Sequence, residues 1–374
     1  MKLFLTSAAG LSLLCSACTQ PASGSYTSAQ GHTLVVGSYS APGDSALKVY
    51  SFDPDSASVD LLCALPVANA SYAAFAGPDL VYALCESTET ESTVSAIRLD
   101  SGRHSAETLS VRPIGSASPC YIAISPDGRF AVTANYTGGD IAIFPIKDDG
   151  QIGRRIRLTA FEGSGPVKGR QDSSHPHCIA FTPDGRYMLV DDLGSDRIWQ
   201  FAVKSDSDSL IASVPEKSVE LEPGSGPRHI VFNKKGDMAY LINELSDKVT
   251  VLRYDGQSLC PVQYIAADTA GAGGAGDIHL SPDGKRLYAS LRLKHDGIAS
   301  FDVDQSTGLL TYIGHTDTGT HPRNFTFSPD GRFLLAACRD DNSVWIFEID
   351  AESGALRDTG RRINQEKAVF VRFI

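Results

Sequence analysis

The chain has no lysine or arginine cluster: 33 basic residues are scattered among 44 acidic ones, for a formal net charge of -11 over 374 residues. A phosphate backbone would be repelled rather than gripped, so no nucleic-acid partner is expected. Tryptophan is scarce, with two in the chain, which argues against an aromatic protein-docking face. Beyond the N-terminal pair Cys15 and Cys18 no Cys-x-x-Cys occurs, and Cys-x-x-Cys-His occurs nowhere, which removes a metal knuckle, a redox pair and a haem attachment site. A nucleophile elbow and a phosphate-cradling loop are missing too. Residues 271–276 are glycine-rich, but no helix follows them, so they read as a flexible connection. Long amphipathic helical runs are hard to find, while 34 glycines and 19 prolines are spread along the chain. Many tight turns and an all-β fold follow.

The N-terminus departs from this profile. Lys2 precedes an apolar stretch, residues 3–14, and then Ser16 and Ala17 lead into Cys18. That pattern reads as an export signal too short to span a bilayer as a helix. A cysteine directly after small residues is similar to the lipobox of bacterial lipoproteins, although Cys15 stands where Leu is usual. The expected organisation is a signal peptide over residues 1–17 with Cys18 acylated, a linker over 18–32 and one folded domain over 33–374. The protein is expected outside the cytoplasm, periplasmic or anchored by its lipid, with no other membrane contact. Six cysteines remain, Cys63, Cys85, Cys120, Cys178, Cys260 and Cys338, and they read as free thiols buried in strands.

What the chain does have is a repeat. Ser125-Pro126-Asp127-Gly128 recurs as Thr182-Pro183-Asp184-Gly185, Asn233-Lys234-Lys235-Gly236, Ser281-Pro282-Asp283-Gly284 and Ser328-Pro329-Asp330-Gly331, the glycines 57, 51, 48 and 47 residues apart. Each copy lies between short β-branched and aromatic runs, and Pro followed by Asp-Gly is turn chemistry, so each is a β-hairpin. Third and fourth strands follow every hairpin, a propeller-blade period. From Cys18 onward 357 residues divide by seven into 51 each. The expectation is a seven-bladed β-propeller with four antiparallel strands per blade, its ring closed by strands from both chain ends.

The turn glycine sets a common zero for comparing blades. Eight residues before it stand Cys120, His177, Arg228, Gly276 and Arg323, and eight after it Tyr136, Leu193, Glu244, Arg292 and Arg339. In an antiparallel hairpin both positions lie at the end opposite the turn, so these residues gather on one face, with Glu86 added from a weaker copy. Cations converging there, in an otherwise acidic chain, imply an anion pocket, since arginine forks suit carboxylate or phosphate. His177 and Glu244 are the candidates for proton transfer. His175-Pro176-His177 has no second donor cluster at a recognisable spacing, so no metal ligands and no cofactor are expected.

The stretch His-Pro-His-Cys-Ile-Ala-Phe-Thr-Pro-Asp-Gly from 175, Asp192-Leu193-Gly194, Gly226-Pro227-Arg228-His229, Asn243-Glu244-Leu245-Ser246 and His321-Pro322-Arg323 together resemble the seven-bladed propeller lactonase family. That family includes one type of 6-phosphogluconolactonase and the fungal 3-carboxy-cis,cis-muconate lactonizing enzyme. The resemblance covers residues 34–373 and implies hydrolysis of a sugar lactone. It implies an active centre of His177, Arg228, Glu244 and Arg292, with His229 and Arg323 close by; Tyr136, Arg339 and Glu86 complete the expected substrate-binding set. The chain departs from the family pattern at Leu291, where Asn is more frequent, and at Arg339, where a neutral amide is common. Two alternatives stay open: a non-catalytic propeller that binds a sugar acid or a protein on the same face, and a muconate-type cyclase. An export signal also conflicts with a substrate made in the cytoplasm, as 6-phosphogluconolactone is.

Overall fold

The computed structural model describes residues 31–41, 43–88, 92–204 and 209–374. The expected signal peptide, Cys18 and most of the linker lie outside them. The described residues form seven sheets of four antiparallel strands. Their one short helical element is a 3-10 turn, Arg339–Asp341.

Blades follow one another along the chain, each running from an innermost to an outermost strand. The third blade, for example, comprises Pro119–Ile124, Phe130–Asn135, Asp140–Pro145 and Arg157–Ala160. The first blade closes the ring: His32–Ser38 pairs with both Leu47–Asp53 and the C-terminal strand Ala368–Phe373, which takes the innermost place. Every blade thereby has its four strands, and the strand edges that remain are short and lie at the channel or the rim, the reason rings of this kind resist edge-to-edge association.

The hairpin turns form as their residues dictate. Gly128 has φ 72°, the left-handed region that glycine enters at little cost. Asp127 accepts a hydrogen bond from the Ser125 hydroxyl at 2.6 Å, and that hydroxyl oxygen accepts the Phe130 N–H at 2.9 Å. In the variant copy Asn233 does the same work alone, accepting the N–H groups of Asp237 and Met238 at 3.1 and 3.2 Å. Apolar faces of neighbouring blades meet between the sheets, where Phe52, Phe144, Phe201, Phe301, Phe325 and Phe347 are fully buried. The six cysteines are free, as expected, but Cys260 is exposed because its strand, Leu259–Ala266, is the outermost of its blade.

One feature of the inner strands positions the site. In four blades the innermost strand begins at a proline, Pro119, Pro176, Pro227 or Pro322, and the pairing slips by one residue straight after it. The residue left out of the ladder is Cys120, His177, Arg228 or Arg323. Such a bulge re-aims a side chain that regular pairing would direct into the neighbouring sheet. A fifth slip, in the closing blade, singles out Val369. Cys120, Arg228, Arg323 and Val369 line one cavity of about 10 Å³ together with Ser71, Tyr72, His229 and Asn324, so four of the five bulged residues converge at the middle of the ring.

Candidate active site

Arg228 is the largest side chain buried almost completely, with 1% of its surface exposed. A buried guanidinium requires a counter-charge and full hydrogen bonding. Glu244 provides the charge: its Oε2 accepts Nε of Arg228 at 2.8 Å and lies 3.1 Å from Nη2 of Arg292, while its Oε1 accepts Nη2 of Arg170 at 2.5 Å. Burial pushes the Glu244 carboxyl up, but Arg292, Arg228 and Arg170 outweigh it and hold the group well below the usual carboxylate range.

Three further guanidinium hydrogen bonds go to backbone carbonyls of the glycine-rich segment. Arg292 donates to Gly274 O at 2.6 Å and Ala275 O at 2.9 Å, and Arg228 to Gly276 O at 2.9 Å. This segment is not the flexible connection that its composition suggests. The Asp247 carboxylate accepts the N–H groups of Gly273, Gly274 and Ala275 at 2.8, 2.9 and 2.9 Å. A Cβ on Gly274 would come within 2.7 Å of the Arg292 carbonyl oxygen, so the glycine serves close approach rather than mobility. Asp196 acts alike one blade earlier, accepting the N–H groups of Gly224 and Gly226 at 2.7 and 2.8 Å.

His177 is buried beside this cluster, edge-on to Tyr136 at 5.8 Å and to His229 at 5.2 Å. Its Nδ1 has no hydrogen-bond partner. Burial, and then the charges of Arg228, Arg323 and Arg292 with His229, hold its pKa well below 6.5. The imidazole is therefore neutral at pH 7. Burial and Arg228 likewise bring His229 down to about 4. That ring sits one residue deeper, its Nδ1 2.7 Å from Asp277, which is also bonded to His279 at 2.8 Å and Asn324 at 2.5 Å.

The other expected residues spread outward. Tyr136 stacks on His175 at 4.5 Å. The Arg323 guanidinium lies 5.8 Å from the Tyr39 ring centre, and the Tyr39 hydroxyl donates to Glu86 at 3.3 Å, so Glu86 meets the cluster through Tyr39. Arg323 has no carboxylate within 4.0 Å among the described residues. Arg339 stands at the edge of the cluster and not on Glu244: both prongs of its fork are bound to Asp340, at 2.7 and 2.9 Å.

Three contributors escape the blade register. Arg170 lies in the connection between the third and fourth blades, residues 161–175, where no repeat predicts a position; the length of that connection was the available signal, since long ordered loops tend to be functional. The carbonyls of residues 274–276 carry no side-chain signature. His321, lowered to about 3 by burial and by Arg292, Arg339 and Arg323, stands 3.4 Å from Nη1 of Arg292. No group of three metal donors forms around the channel among the described residues.

Removing the Glu244 charge would leave buried Arg228 and Arg292 without compensation. Glu244→Gln is expected to lower unfolding stability by about 3 kcal/mol or more at pH 7 in urea titration. A loss under about 1 kcal/mol would show that the backbone carbonyls alone satisfy both arginines.

A ring of seven blades is also what the chain is similar to. Residues 33–373 match the family model described as lactonase, 7-bladed β-propeller. A 6-phosphogluconolactonase of Formosa agariphila is 35% identical over 333 residues, covering 87% of this chain and 94% of that one. Two solved structures superpose closely. A Bacteroides fragilis protein, 40% identical, covers 95% of this chain and 100% of its own with a TM-score of 0.89. The Pseudomonas aeruginosa periplasmic gluconolactonase is 30% identical and covers 92% and 99%, with a TM-score of 0.87. The match spans all seven blades and the bulged inner strands that build the centre, and on that ground the chain belongs to the seven-bladed β-propeller lactonase family.

Proposed function

We propose that the protein hydrolyses a sugar lactone at the Arg228, Arg292 and Glu244 centre, with His177 as general base. The observation that carries this reading is the different occupancy of the two proton-transfer candidates. Glu244 is saturated by three guanidinium groups, which makes it a poor proton acceptor. His177 is neutral and has a nitrogen to spare.

In the proposed reaction His177 takes a proton from water as the water oxygen bonds to the ring carbonyl carbon. The carbonyl electron pair moves onto oxygen, where arginine guanidinium groups stabilise it. Collapse of this intermediate breaks the ring C–O bond, and the leaving alkoxide takes the proton back from His177. The product is an open hydroxy acid, and its new carboxylate suits the same arginines. Glu244 keeps Arg170, Arg228 and Arg292 together.

A phosphorylated substrate agrees with the relative from Formosa agariphila, and Arg323, free of carboxylates, is the group we assign to the phosphate. An unphosphorylated lactone agrees with the export signal read in residues 1–18 and with the periplasmic enzyme of Pseudomonas aeruginosa. Hydrolysis of 6-phosphogluconolactone and glucono-δ-lactone, corrected for spontaneous opening and compared with Arg323→Ala, separates the two. We expect hydrolysis of the phosphorylated lactone to be preferred and Arg323→Ala to reduce that preference about tenfold or more. A folded protein that opens neither lactone would overturn the reading in favour of a binding propeller.

A further inference from the structure

A second cluster of chemistry-bearing residues lies at the rim of the sixth blade, away from the channel. His295 stands in the turn between Arg286–Leu291 and Gly297–Val303, and His315 and Asp317 at the end of the outermost strand, Leu310–Asp317. Strand pairing brings them together, with Gly297 opposite Asp317 and Ala299 opposite His315. Each offers one donor atom, and the three atoms lie within 4.8 Å of one another.

Three further features mark this cluster as more than neighbouring polar groups. Nδ1 of His315 has no hydrogen-bond partner, and its Nε2 meets only Asp317, at 3.4 Å; a ring with 11% of its side chain exposed and so few partners needs a reason. Asp268, with 3% of its side chain exposed, holds Nδ1 of His295 at 3.0 Å. A carboxylate behind an imidazole in this way fixes the tautomer and leaves the other nitrogen's lone pair for a metal. Gly297 makes the room, since a Cβ there would collide with Nε2 of His315.

We propose that His295, His315 and Asp317 bind a divalent transition-metal ion of the zinc type, with Asp268 orienting His295. Two imidazoles and a carboxylate suit such an ion, whereas calcium and magnesium prefer oxygen donors. Metal–nitrogen bonds of about 2.0 Å bring tetrahedral donors to roughly 3.3 Å from one another. The two rings are now stacked with centres 3.7 Å apart, so closure takes side-chain rotation. Asp317, with 89% of its side chain exposed, is free to rotate, half-exposed His295 turns about its bond to Asp268, and packed His315 is the anchor. Sequence spacing concealed the site because its ligands come from a turn and from a strand paired beside it.

The test is calorimetric titration of the chelator-stripped full chain with zinc chloride, with thermal unfolding in parallel. One saturable equivalent and a raised Tm are expected; His295→Ala and Asp317→Asn each weaken binding about tenfold or more. His315→Ala should abolish binding, and exposed His295 supplies the decision if that variant fails to fold. His104→Ala, at an exposed histidine elsewhere, should bind as the parent does. Absence of saturable binding below about 100 μM, or binding that survives both His295→Ala and Asp317→Asn, overturns the proposal. Lactone hydrolysis is not the readout, so failure of the lactonase reading leaves this result standing.

Discussion

His177→Ala is expected to lower kcat/KM for lactone opening by about 10²- to 10⁴-fold, the usual contribution of a positioned general base. Stability should change far less, because the residue removed is uncharged at pH 7 and its Nδ1 has no partner to lose. The pH profile provides the finer test. The base acts when neutral, so activity is lost as pH falls through its pKa. Burial and the surrounding arginines place that pKa well below 6.5, so the parent enzyme should remain active as pH drops past the ordinary histidine range. An acid limb centred near 6.5, or a His177→Ala variant retaining more than about a tenth of parental activity, would transfer the base role elsewhere. Product binding, followed as a thermal shift with gluconate, should survive in His177→Ala because the arginines remain.

Asp191→Asn should make the protein more stable at pH 8 by about 5 kcal/mol, with little gain at pH 4. Asp191 is fully buried in Tyr187–Asp192, opposite Cys178 and Ile198, and neither carboxyl oxygen has a hydrogen-bond partner. Burial raises its pKa from 3.8 to about 8, offset only slightly by the Cys178 thiol. The unfolded chain thus releases this proton near pH 4, while the folded chain keeps it until about pH 8. Between these values the folded state binds more protons, so stability falls as pH rises across that window and levels off above it. Asparagine has no proton to release, and its stability curve lacks this decline. Urea titrations of both proteins between pH 4 and 9 check the point; parallel curves would mean that Asp191 ionises normally in the fold.

Both residues show how far the chain can be read before it is folded. His177 was legible because a turn repeat supplies a register, and register is local: hairpin pairing fixes that positions eight before and eight after the glycine share one end. Its neutrality was not legible, because that depends on burial and on arginines from the fifth, sixth and seventh blades. Asp191 carried no warning, since an aspartate at the end of a short apolar strand looks like a turn residue until the fold buries it. Arg339 shows the converse: its offset matches that of Glu244 and Arg292, but its fork is bound to the neighbouring Asp340. Arg170, off register, reaches Glu244 instead.

Composition, turn chemistry and period by themselves determined the all-β class, the blade count, the closure by both chain ends and the face on which the cationic residues gather, because each follows from backbone preferences repeated at short range. The tertiary structure alone decided which of those residues meet, through bulges after four prolines that turn side chains into the channel. It also decided their protonation, which burial and charges from distant blades set, and it clasped the glycine-rich segment with a carboxylate from the preceding blade. Long-range proximity sets electrostatics and close packing, and no interval along the chain encodes it.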